Sequence, residues 1–108
     1  MGLSNFGAVQ VKALALVNQA AGTFYNQRGF SAVARPGAGV SNMTTDNNTP
    51  VTAKATGGDF PVITLLNGAG NSNSSCALAA AAPQLVVSCF VVAAATDVDF
   101  CAAILSIQ

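Results

Sequence analysis

Short apolar stretches, separated by turn residues, recur along this chain of 108 residues. The clearest of them span residues 60–66, 85–92 and 99–107 and are rich in Val, Ile, Leu and Phe. Apolar runs of this length and composition, bounded by turn signals such as Pro36-Gly37, predict β-strands. The sequence therefore predicts one all-β domain over residues 1–108. We expect a small antiparallel β-sandwich or barrel of about six to eight short strands, in which one or two short helical turns are also acceptable.

Weaker patterns suggest the remaining elements. Residues 8–18 alternate with period two, which slightly favours a strand over a helix, although Ala, Leu, Lys and Gln also form helices well. Further strands are predicted at residues 23–25, 30–34 and 51–56. Loops are predicted around them at residues 26–29, 35–39, 41–50 and 67–75, where Asn, Ser, Thr, Gly and Pro accumulate. Residues 77–82 can be read as a strand or as a short Ala-rich helix that ends at Pro83.

Ionisable side chains are scarce: 7% of the residues are charged, and the chain has no His, Glu or Trp. The net charge is zero, because four Asp balance the four basic residues. Acid–base and nucleophilic catalysis depend on ionisable groups with tunable pKa values, most often His. We therefore predict a protein that is not an enzyme, with no catalytic, cofactor-binding or metal-binding residues. The eight charged residues are Lys12, Arg28, Arg35, Lys54, Asp46, Asp59, Asp97 and Asp99.

Four short segments resemble binding motifs but are better explained as structure. Asp97-x-Asp99 pairs two carboxylates of the kind that bind Ca²⁺, but the remainder of a calcium loop is absent, which favours a turn. Gly37-x-Gly39 and Gly68-x-Gly70 lack the Lys and the strand–helix context of a phosphate loop. The aromatic segment 24–30 contains one basic residue, which is too few for nucleic-acid binding.

The cysteines and the apolar runs indicate in which cellular compartment the chain folds. Cys76, Cys89 and Cys101 are odd in number, are spaced too widely for a zinc knuckle, and lie in apolar segments. They are expected to be buried free thiols, and the sequence does not decide whether any of them forms a disulfide between subunits.

The apolar run at residues 77–95 is too short for a membrane span because Pro83, Gln84 and Ser88 interrupt it, and residues 1–5 lack the basic start of a signal peptide. We expect no membrane partner and folding in a cytoplasm.

The low charge indicates what covers the surface. A free protein surface normally carries about a quarter to a third charged residues. Residues 99–107 are apolar on both faces of the predicted strand, so both faces should be covered, the second by a neighbouring subunit. The sequence therefore predicts a non-enzymatic structural assembly protein. The expected type is a viral (phage) capsid decoration, cement or coat subunit, assembled in the host cytoplasm and located on the virion surface. Its expected partners are itself, as a trimer or larger homo-oligomer, and a neighbouring capsid-type protein.

Two alternatives remain open. An extracellular filament or pilin-like subunit would have a similar composition, but it requires export, for which these residues show no signal. A small lectin-like binding module could use the loop at residues 67–75, although that loop contains no aromatic residue to lie against a sugar ring.

Overall fold

Two antiparallel sheets pack face to face in the computed structural model, which describes residues 9–52, 58–68 and 70–107. The predicted β-sandwich is confirmed, and the described residues contain nine strands and no helix. No helix in these ranges therefore has the length and apolarity to cross a membrane. Sheet A has the order β2-β1-β9-β5 and contains β1 (Val9–Asn18), β2 (Thr23–Arg28), β5 (Asp59–Leu65) and β9 (Phe100–Ile107). Sheet B has the order β3-β4-β7-β6 and contains β3 (Phe30–Gly37), β4 (Val40–Thr45), β6 (Ser72–Leu78) and β7 (Leu85–Val91), with β8 (Ala94–Ala95) paired to β7.

The core lies between the two sheets and is built from small and aliphatic side chains. On β1, Ala13, Ala15 and Val17 point inward and are buried, because successive strand residues face opposite sides of a sheet. The neighbouring β9 places larger side chains beside them: Phe100 and Ile104 flank Ala102. Sheet B closes the core with buried residues of β4 and β7, namely Met43, Leu85, Val87 and Cys89.

A fully buried glutamine links the two sheets. Gln19 follows β1 in sheet A, and its Nε2 donates to the Ser41 hydroxyl of β4 in sheet B at 3.1 Å. Its Oε1 accepts a bond of 2.9 Å from the Val98 backbone N–H, just before β9. Both ends of the amide are thus satisfied in the core, where an unpaired polar group would be costly.

We expect Gln19→Leu to destabilise the fold although the new side chain is apolar and similar in size. The substitution leaves the Val98 N–H and the Ser41 hydroxyl buried without these partners, and each loss costs about 1–3 kcal/mol. Chemical denaturation of the variant measures this as a lower free energy of unfolding. The double variant Gln19→Leu/Ser41→Ala is the control, because removing the Ser41 hydroxyl recovers part of the loss. Equal stability of Gln19→Leu and the native chain would show that the link contributes nothing.

The prediction of a loop at residues 41–50 is wrong for its first half, which forms β4. The segment is polar, but its inward side chains Ser41, Met43 and Thr45 are buried, and their neighbours are partly exposed. Ser41 is paired with Gln19, and the Thr45 N–H donates to Gln84 Oε1 at 3.0 Å. Hydrogen bonds from distant segments therefore allow a polar sequence to serve as a central strand.

Three other predicted loops, at residues 26–29, 35–39 and 67–75, also contain strand. β3 extends to Gly37, beyond the predicted residues 30–34, and β2 extends to Arg28. The predicted loop at residues 67–75 ends early, because β6 begins at Ser72. Within the described part of the chain β6 pairs with β7 alone, and its Ser and Asn side chains, which are exposed or half-buried, show no apolar alternation. Residues 76–78 belong to this strand, and no helix follows them before Pro83.

The strands predicted from the strongest patterns are confirmed. β1, β5, β7 and β9 lie where the alternation and the β-branched runs indicated. The strand predicted at residues 51–56 is not found at residues 51–52, and residues 53–56 lie outside the described ranges.

Candidate assembly surface

Charged side chains in this structure mostly bind other parts of the same chain. Arg35, on β3, forms a two-pronged salt bridge with Asp97, in which its Nη2 lies 2.7 Å from Asp97 Oδ2. The same carboxylate accepts a bond of 2.8 Å from the Gly39 N–H in the β3–β4 turn. Hydrogen bonding from Arg35 lowers the pKa of Asp97 below its ordinary value, partly opposed by desolvation and supported by the bond from Gly39. The bridge therefore fastens the turn of sheet B to the segment that leads into β9.

A second salt bridge lies at the other end of the sandwich. Lys12 Nζ is 2.8 Å from Asp59 Oδ2, and the Asp59 side chain is almost fully buried. Lys12 also donates to the Pro50 carbonyl, and the Thr52 N–H donates to Asp59 at 2.7 Å. Burial alone would raise the pKa of Asp59, but hydrogen bonds from Lys12, Thr52 and Ser106 outweigh it, so the pKa is lowered. This carboxylate thus joins β1, β5 and the chain at residues 50–52.

The two remaining aspartates hold loops. Asp46 accepts bonds from the Asn48 N–H and the Thr49 hydroxyl, closing a turn after β4. Asp99 accepts bonds from the Tyr25 hydroxyl at 2.7 Å and from Asn67 Nδ2 at 3.1 Å. Of the basic residues, Arg28 makes no ion pair with any described residue, and Lys54 lies outside the described ranges.

The structure does not bring Asp97 and Asp99 together as cation ligands. Asp97 is bound by Arg35 and Gly39, and Asp99 is bound by Tyr25 and Asn67. Within residues 9–52, 58–68 and 70–107, no three acidic, Cys or His side chains form a group that could hold a metal ion. Of the glycines in the phosphate-loop motifs, Gly37 ends β3 and Gly39 lies in the turn that follows, with a positive φ of 72°. Gly68 and Gly70 lie between β5 and β6.

The three thiols are free and lie in different environments. Cys89 is buried in the core, Cys101 is half-buried on sheet A, and Cys76 is exposed on β6. The expectation that all three are buried is therefore wrong for Cys76, because β6 is an edge strand. Desolvation raises the pKa of the Cys76 and Cys89 thiols, which disfavours a reactive thiolate at neutral pH.

The side of sheet A that faces away from the core carries three apolar rows, which we call the outer face. The strand register sets these rows side by side across β5, β9 and β1. Val62 and Leu14, in the middle row, are 41% and 45% exposed. Beyond β1, two of the rows continue into polar side chains on β2, because Arg28 pairs with Leu14 and Asn26 pairs with Leu16. The rows are Phe60–Leu105–Val11, Val62–Ala103–Leu14 and Thr64–Cys101–Leu16.

The corresponding side of sheet B is not an apolar surface. Its cross-strand neighbours mix small and polar residues, so that Ser88 lies between Val40 and Ser75, and Asn42 lies between Ala34 and Val86. The two outer sides of the sandwich therefore differ, and the sequence signal for this difference was the double apolar face of β9.

A shallow depression opens at the β2 side of the outer face. It has a volume of about 240 Å³ and is lined by Leu14, Leu16, Cys101 and Arg28, among other residues of β1 and β2. The strand pairs set the small side chains of Ala103 and Cys101 on β9 beside Leu14 and Leu16 on β1. The outer face is therefore uneven at this place.

Comparisons with other proteins add no relative. No family model matches the chain, and no curated protein or solved structure shows significant similarity to it.

Stability should fall in acid, because Asp59 and Asp97 have lowered pKa values in the folded state. A lowered carboxyl pKa contributes stability above the unfolded-state value of about 3.9 and loses it as pH falls through the folded-state value. We expect the free energy of unfolding, measured by urea denaturation, to decrease steadily below about pH 5. Asp97→Asn should make this decrease smaller.

The control for this experiment is Arg35→Gln, which removes the main partner of Asp97. It should flatten the pH dependence nearly as much as Asp97→Asn, and the double variant should add little to either change. An unchanged pH dependence in both single variants would contradict the assignment of the acid sensitivity to this bridge.

Proposed function

We propose that this protein is a non-enzymatic structural subunit of a virus particle, of the capsid decoration, cement or coat type. It assembles as three or more copies and contacts a neighbouring capsid-type protein at the virion surface, after folding in the host cytoplasm. The observation that carries the proposal is the outer face of sheet A, on which eight apolar side chains lie side by side across three strands. Continuous apolar surfaces of this kind mark sites of protein contact.

The placement of the charges supports the same proposal. Six of the chain's eight charged residues form salt bridges or loop contacts, and Lys54 lies outside the described ranges. The eighth, Arg28, lies on β2 at the margin of the outer face. Away from these pairs and from the outer face, many of the exposed side chains in the described residues are Asn, Ser, Thr, Gln and Ala. Neutral groups can be buried against a neighbour without the large desolvation cost of an unpaired charge.

Particle composition tests the proposal. Virus particles purified by density gradient from cultures that produce this protein should contain the chain in a fixed stoichiometry to the major capsid protein, measured by quantitative mass spectrometry. A decoration subunit should also be released from intact capsids by mild denaturant and should rebind when it is added back. Recovery of the chain from extracellular filaments, and not from particles, would replace the proposal with the filament alternative.

One observation favours a second candidate, a lectin-like binding module. The loop at residues 67–75 has no aromatic residue of its own, but Tyr25 on β2 lies beside it and is 57% exposed. Asp99 connects the two, because it accepts hydrogen bonds from the Tyr25 hydroxyl and from Asn67 Nδ2. An exposed aromatic ring beside a carboxylate and an amide is a combination that contacts the apolar and polar faces of a sugar.

A glycan array probed with the labelled native chain tests this candidate. Carbohydrate binding that disappears in Tyr25→Ala and persists in Tyr25→Phe would support it, because phenylalanine keeps the ring that stacks on a sugar. The variant Val92→Ala is a matched control, since Val92 is also strongly exposed but lies at the β7–β8 turn. Absence of binding to every glycan would eliminate the candidate.

A further inference from the structure

We propose that the outer face of sheet A is the surface through which two copies of this chain pack against each other, related by a two-fold axis. The inference rests on the proposed function, because it names the partner of the same surface. It concerns one contact only: a two-fold contact joins copies in pairs, so a larger assembly needs a second contact elsewhere on the molecule.

The chemistry of the face requires an apolar partner. Eight of the nine side chains in its three rows are apolar, and the ninth is Thr64 at the β5 margin. Arg28 lies at the opposite margin, on β2, and is exposed to solvent there. A charged partner such as a nucleic acid, an acidic peptide or an anionic membrane would find one cation, at the edge, and would lose hydration over the remainder.

A second copy supplies a matching apolar surface. In a two-fold pair the same patch is buried on both molecules, so the apolar rows of one copy meet the apolar rows of the other. The net charge of zero means that two copies do not repel each other as a whole. The face also has complementary relief, because the depression beside Leu16 and Cys101 has room for a leucine side chain of the partner.

The size of the face fits a pair of low affinity. The three rows cross β5, β9 and β1, so three strands about 4.8 Å apart and three rows about 7 Å apart cover roughly 300 Å² per copy, and the outer side of β2 adds roughly 100 Å². Two such patches bury about 800 Å² together, which is below the roughly 1,200–2,000 Å² of stable complexes and belongs to weak, transient pairs. We therefore expect a dissociation constant of about 1–100 µM for the isolated chain. Further contacts on a particle would strengthen it through effective concentration.

Sheet packing within the molecule provides the model for this contact. The inner faces of sheets A and B already pack through alternating Ala, Val, Ile and Phe side chains. A paired outer face would stack a second sheet A about 10 Å away, the usual distance between packed sheets. β9 would then be covered on both sides.

Sedimentation equilibrium of the native chain, from about 1 to 300 µM, is the first test. The expected result is a reversible monomer–dimer equilibrium that Leu14→Lys and Val62→Lys each weaken at least about tenfold, because each buries a charge in the pair. The matched control is Ala77→Lys, which places a lysine on the outer side of the edge strand β6 in sheet B and should leave the equilibrium unchanged. Thermal unfolding confirms that the variants are folded.

Thiol labelling of the native chain gives an independent readout that needs no variant. Under reducing conditions, alkylation of Cys101 should slow as the protein concentration rises through the dissociation constant, while alkylation of Cys76 on β6 should keep a constant rate. Mass spectrometry of the peptides separates the two sites. A Cys101 rate that does not depend on concentration, together with a monomer throughout the sedimentation range, would overturn the proposal.

Two further outcomes identify other occupants of the face. If Cys101 is protected at every concentration and becomes reactive after residues 1–8 are deleted, the chain's own N-terminal segment covers the face and the pairing is wrong. If dimers form but Leu14→Lys and Val62→Lys do not weaken them, another surface pairs the copies and the proposal is likewise wrong. Pairing without presence in virus particles would contradict the proposed function alone. Presence in particles as a chain that is monomeric in solution would contradict the pairing alone.

Discussion

The hydrogen bonds of Gln19 determine how the two sheets of this sandwich are positioned. The amide reaches from the end of β1 to Ser41 in the opposite sheet and to the backbone of Val98 before β9. The core beside it is made mostly of small and aliphatic side chains, whose hydrophobic contacts are not directional. A directional contact in this place fixes the relation between the sheets, because an amide that shifts loses both partners in a medium that cannot replace them.

The two salt bridges likewise hold separate segments together, at the two ends of the sandwich. Each salt bridge joins segments that are distant in sequence: Lys12 and Asp59 connect two strands of sheet A that lie on either side of β9, and Arg35 and Asp97 connect sheet B to the entry of β9. Six of the eight charged side chains make such internal contacts, so few charges in the described residues are left to interact with solvent. The remaining surface is neutral, and its character is set by uncharged polar groups and by the outer face.

Sequence patterns were sufficient for the fold class and for the strands that carry the core. β7 and β9 contain β-branched or aliphatic runs, so their burial can be predicted without knowing which strands they pair with. β4 could not be predicted from Ser, Asn, Met and Thr, because its burial depends on Gln19 and Gln84, which lie 22 and 39 residues away in the chain. β6 was missed for a different reason: an edge strand is held by the backbone of one neighbour, and its Ser and Asn side chains resemble those of a loop. The register that aligns Val62, Ala103 and Leu14 in one row is likewise a property of strand pairing, visible in the sequence only as the two apolar faces of β9.

The position of β9 explains why the outer face matters for the energetics of the whole molecule. β9 lies inside sheet A, between β1 and β5, and its inner residues Phe100, Ala102 and Ile104 are fully buried. A two-layer sandwich can cover only one side of each sheet, so Cys101, Ala103 and Leu105 remain at the surface of an otherwise central strand. Small domains bury a limited fraction of their apolar surface, and this core contains few large side chains. Covering the outer face would add a third layer over β9, which links the core of small side chains and the apolar exterior to the same cause.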